Sequence, residues 1–202
     1  MVLVAVFSYG IFAPPPGPRS MRRFDAVRMA DLELRMWQAY YAKDRVRLFA
    51  LLVTTLREQY HYSWAVATSE GFHLARAAAT FSDLRSNYDV VLPDLERAYR
   101  TVQSSLHADF DPRAVARAEL AWWVARRIPG HNGPEEVGEL IAEEYSLLYD
   151  VPREVVGSAA ELRAQAAALR DTEAASPDWD TIGRLLRQSY GELSSALSTA
   201  SA

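Results

Sequence analysis

Phe24 to Tyr41 reads FDAVRMADLELRMWQAYY. Its apolar residues Phe24, Val27, Leu34, Trp37 and Tyr41 recur at three, four or seven positions, the spacing of one face of an α-helix. Met29, Leu32, Met36 and Tyr40 form a second apolar row beside the first. A helix that is apolar on two faces is covered from more than one side, so this stretch predicts a central helix in a helical protein. Ser20 is the expected N-cap.

The same grammar continues along the chain. The pattern restarts after Asp44 and runs through Leu48, Leu51, Leu52, Thr55 and Leu56 to Tyr60. Tyr62-Ser63-Trp64 reads as a corner, and a third helix follows to about Leu84. Ser86 to Asp89 signals a turn. Pro93 then suits the first turn of a helix reaching Leu106. Asp111-Pro112 pairs a capping aspartate with a first-position proline and opens a helix that stops before Pro129. Pro129 to Pro134 is a loop; beyond it Val137, Ile141, Tyr145 and Leu148 mark another helix. Pro152 introduces an alanine-rich helix, Thr172 to Pro177 a connection, and Asp178 caps a last helix through Ile182, Leu186, Leu193 and Leu197. No stretch outside the N-terminus alternates for long enough to make a strand, and no sequence period points to a solenoid. The expectation is an all-α, single-domain bundle of about eight helices with short loops, over residues 21–200.

The first twenty residues differ. Met1 to Ala13 is nearly all apolar and is followed by a proline-rich run. Thirteen apolar residues are too few to span a bilayer, and no basic residue precedes them as in an export signal. Residues 1–20 are set apart from the fold as an apolar arm, with Met21 as an alternative translation start.

At 202 residues the chain is long enough for one buried core. Its net charge of −4 argues against a general nucleic-acid binder, which needs a basic face. One lysine, Lys43, stands against 21 arginines, usage that fits a GC-rich, bacterial-type composition. Cysteine is absent, which excludes disulfides and thiolate chemistry. No Gly-rich phosphate loop, Gly-x-Ser-x-Gly or His-Glu-x-x-His motif occurs. With no spanning segment, the expected location is the cytoplasm.

Four constellations could carry chemistry. Glu58–His61 and Glu70–His73 each place a carboxylate and an imidazole on one helical face. That spacing is similar to the Glu-x-x-His pairs of ferritin-like di-metal carboxylate bundles. The likeness is partial: the two pairs lie 12 residues apart, and the second half of the chain has no such pair. Glu58 and His61 read as surface; Glu70 and His73 align with Val66, Ala77 and Phe81 and point inward. The second set is carboxylates on apolar stripes: Asp31, Glu119 and Glu144. A carboxylate in a core needs a partner, and arginine is the one available, so Asp31 or Glu119 is expected to pair with Arg126, Arg127 or Arg35. The third is the supply of aromatics, Trp37, Tyr40, Tyr41, Tyr60, Tyr62, Trp64, Trp122, Trp123, Tyr145 and Tyr149, expected mainly as core and alternatively as a pocket lining. The fourth is the loop Arg126–Glu136, where two arginines and a helix N-terminus could hold an anion. Glu135 and Glu136 already fill that first turn, so an ordinary capped connection is expected.

These residues point to an interaction or small-ligand-binding module with a buried polar network of Asp31, Glu119, Trp122, Trp123, Arg126, Arg127 and Glu144, and no cofactor. An exposed apolar helix face leaves a homodimer open. The alternative is a metal-dependent bundle enzyme, with Glu70, His73, Glu119 and Glu144 holding iron, manganese or zinc.

Overall fold

The computed structural model describes residues 11–16 and 20–200. The apolar run of residues 1–10 lies outside the described residues. Among those described there are eight α-helices and no strand. They are α1 (Ala26–Tyr41), α2 (Arg45–Tyr60), α3 (Trp64–Asp83), α4 (Leu92–Leu106), α5 (Pro112–Ala125), α6 (Pro134–Tyr149), α7 (Arg153–Thr172) and α8 (Trp179–Thr199), with a short 3-10 turn at Tyr88–Val91 before α4. None is long and apolar enough to cross a membrane.

The caps are local chemistry. Asp25, Asp44 and Asp178 each accept from the backbone N–H three residues on, at 2.9–3.0 Å, and Ser63 does the same for α3 at 3.3 Å. Asp111 accepts from Arg113 N–H at 2.9 Å, with Pro112 opening α5. Ser20 does not cap α1: the helix begins six residues later, at the Asp25 cap. Ser20 Oγ accepts from Arg22 N–H instead, and Met21 is buried in the core. Burial of Met21 holds the chain out of helix there, so the cap falls to Asp25.

Backbone contacts follow one rule. Each helix packs on its neighbour in sequence, from α1 against α2 to α7 against α8, and α8 packs back on α1. The eight helices therefore form a closed circuit. Close approaches sit at small residues. A Cβ on Gly71 of α3 would stand 2.8 Å from Val53 Cγ2 of α2. One on Gly138 of α6 would stand 3.3 Å from the backbone of Glu161 on α7. Five alanines of α7, Ala159, Ala160, Ala164, Ala166 and Ala167, are buried and let α6 and α8 close on both sides of it.

The largest core cluster runs from Val53 and Leu56 through Leu95, Val115 and Ile141 to Leu193 and Leu197. Smaller ones join α1 to α2 (Met29, Leu32, Leu48, Leu51) and α1 to α7 and α8 (Ala30, Ala166, Ile182, Leu186). Inside the circuit the facing helices are bridged by long side chains: Tyr, Trp, Arg and Glu. Rigid planar and forked groups do not fill that space completely, and a cavity remains.

Candidate functional site

Two chambers, each partly open to solvent, adjoin and share part of their walls. The larger, of about 340 Å³, is walled by Trp37, Leu52, Leu74, Phe81, Trp122 and Trp123, among others; the smaller, of about 170 Å³, by Tyr60, Glu70, Tyr99, Glu144 and Tyr149, among others. Glu33, Glu119 and Arg163 belong to both walls. α1 supplies Glu33, α5 supplies Glu119 and Trp122, α6 supplies Glu144, and α7 supplies Arg163.

Arg163 is the centre of the polar cluster. Its Nε and Nη2 both donate to Glu33 Oε1, at 2.9 and 2.7 Å, and Nη1 stands 4.0 Å from Glu144 Oε2. Its guanidinium lies over the Trp122 ring, 4.9 Å from the centroid. Glu144 also accepts from Trp122 Nε1 at 2.6 Å and from the Tyr99 hydroxyl at 3.0 Å. Glu33 Oε2 and Glu70 Oε2 are buried and have no hydrogen-bond partner.

Three carboxyl groups thus share one guanidinium. Burial, and next the charge of Glu144, push Glu119 up to about 8. Burial also raises Glu144, opposed by Arg163, Trp122 and Tyr99. Glu119 is only half-buried because it faces open cavity rather than packed atoms. Burial holds Tyr60, Tyr99, Tyr145, Tyr149 and Tyr190 above the usual phenol range, so these rings stay neutral.

A second network closes the far end of the larger chamber. Arg126 Nε and Nη2 grip Asp171 of α7, each at 3.0 Å, and Nη2 also donates to the Tyr41 hydroxyl at 2.8 Å. The Arg170 guanidinium lies 3.3 Å above the Tyr41 ring. Arg127 lies over Phe81 at 3.8 Å and donates to the Leu84 carbonyl at 3.0 Å.

Set against the sequence, Glu119, Trp122, Trp123, Arg126 and Glu144 do gather around one interior. Asp31 does not: its side chain is 42% exposed and accepts from Arg187 of α8 at 3.1 Å. Arg126 pairs with Asp171, not with Asp31 or Glu119, because α7 rather than α1 presents the carboxylate nearest its planar fork. Arg127 stacks on the rim. Glu33 and Arg163 were missed. Glu33 completes the row Met29–Glu33–Met36–Tyr40 at spacings of four, three and four, so its position on the second apolar face was the available signal.

The proposed four-residue metal set is not assembled. Glu70, Glu119 and Glu144 line the smaller chamber, but His73 Nδ1 turns to Asp94 at 2.8 Å, beside Arg76. Among the described residues no three His, Asp or Glu side chains converge as a metal would require. Glu58 is a surface residue, gripped by Arg28 at 2.7 and 2.8 Å. Loop Arg126–Glu136 is the ordinary connection expected: both arginines are engaged elsewhere, and His131 pairs with Glu136 at 2.7 Å. Of the aromatics, Trp64 is exposed under Arg57, Tyr62 is buried in the core, and the other eight line the cavity. Comparison with protein-family models, curated proteins and solved structures finds no match for this chain.

Proposed function

We propose that this chain is a small-ligand-binding protein whose ligand occupies the interior cavity. Its apolar body would lie between the tryptophan and leucine walls, and its polar end would meet the Glu33–Glu119–Arg163 cluster. The observation that carries this reading is Glu33 Oε2. The residue is 2% exposed and borders both chambers, and that oxygen makes no well-formed hydrogen bond, the Tyr190 hydroxyl lying near the carboxylate without good geometry. An unmet buried carboxylate oxygen costs on the order of 1–3 kcal/mol or more, which a ligand donor would recover. The larger chamber also has the size and mostly apolar lining of small-molecule sites, with few polar groups placed to orient the occupant.

Calorimetric titration with naphthylmethanol, an apolar body bearing one hydroxyl, tests it. Saturable binding is expected, and Ala78→Trp, which fills the larger chamber from α3, should abolish it; Leu52→Trp serves if the first variant does not fold. Absence of binding, or equal binding by a folded filled variant, would overturn the reading.

A further inference from the structure

Resting on that small-ligand reading, we infer that the ligand is a primary amine bound as its ammonium ion, seated between Glu33 and Glu119 with an apolar or aromatic body in the larger chamber.

The hydrogen-bond inventory of the cavity points to a donor. The guanidiniums on its wall are engaged, Arg163 with Glu33, Arg126 with Asp171 and Tyr41, and Arg127 with the Leu84 carbonyl, and Trp122 Nε1 donates to Glu144. The fully buried wall atoms left without a partner are acceptors, Glu33 Oε2 and, in the smaller chamber, Glu70 Oε2. An anion entering here would meet engaged guanidiniums and three carboxyl groups. An ammonium brings three N–H donors and a positive charge to the side of the cluster where carboxyl groups outnumber guanidiniums. The neighbouring tryptophan and phenylalanine faces suit the hydrocarbon next to a cation.

A proton is linked to that binding. The groups facing Glu119 are Glu144 from α6, Glu33 from α1, Arg163 from α7, Tyr99 from α4 and Tyr60 from α2; Glu70 of α3 shares the smaller chamber with it. Burial pushes Glu119 up to about 8, which favours its protonated form at neutral pH. An ammonium beside it favours the carboxylate, so protonated Glu119 and the ammonium ion give an ion pair, and one proton leaves to solvent.

Naphthylmethylamine, naphthylmethanol and naphthoate share one body and differ in the charge of the head group. Calorimetry on the full chain at about pH 7, in buffers of different ionisation enthalpy, separates them. The amine should bind at least about tenfold more tightly than the alcohol and release close to one proton, and naphthoate should not bind. Glu33→Gln should reduce amine affinity about tenfold or more while sparing the alcohol. Glu119→Gln should eliminate proton release. Equal affinity for amine and alcohol, or preference for naphthoate, would overturn the amine assignment and leave the small-ligand reading standing. Binding of none of the three would overturn both.

Discussion

Arg163 is the residue on which the interior turns. Its side chain, 15% exposed, neutralises Glu33 directly and Glu144 at longer range. Removing one member of a buried ion pair leaves an uncompensated charge, whereas removing both can be nearly neutral. Arg163→Met is therefore expected to lower the unfolding free energy in urea by about 3–5 kcal/mol. Glu33→Met combined with Arg163→Met should be less damaging than the arginine change alone. Equal losses in the single and double variants would show that the pair is not coupled. The partners of Arg126 obey the same logic: Asp171 and Tyr41 hold its largely buried fork in one plane, tying α1, α5 and α7 together.

The helices show what the amino-acid pattern reveals and what it hides. Existence and order of all eight were legible, since caps such as Asp44, Ser63 and Asp178 act through their own backbone within three residues. The start of α1 was misplaced because Ser20 and Asp25 are both good caps and only packing of Met21 into the core chooses between them. The site was half legible. Glu119, Trp122 and Glu144 were found because each stands in an apolar row. Asp31 stood in one too, but the Val27 side of that row faces solvent: Val27 is 60% exposed. Which of two apolar stripes faces inward depends on the partner helix, and sequence periodicity does not contain that partner. Arg163 was hidden for the same reason, on a helix whose alanines pack tightly against two neighbours. Close approach gives a prediction at this level. Gly71→Ala adds a methyl 2.8 Å from Val53 Cγ2, and valine's stiff χ1 limits escape. Overpacking of this kind costs about 1–3 kcal/mol, against at most about 1 kcal/mol of helix propensity gained. Net destabilisation in thermal unfolding is expected; a stabilised variant would mean that α2 and α3 are free to part.

Closing eight helices into a circuit fixes the character of the whole molecule. Neighbouring backbones approach each other, while long side chains bridge helices across the circuit, and ionisable groups are caught among them. Folding therefore alters proton binding. Glu119, pushed up to about 8 in the fold, sits near the ordinary carboxylate range when the chain is unfolded. Between those values the folded chain holds a proton that the unfolded chain has lost, so stability falls as pH rises through that window. Urea unfolding of the chain and of Glu119→Gln, from about pH 5 to about pH 8, reads this directly. The stability of the parent relative to the variant should drop with rising pH, by up to about 1.4 kcal/mol per unit. Parallel curves for the two proteins would contradict an interior in which three carboxyl groups share one guanidinium.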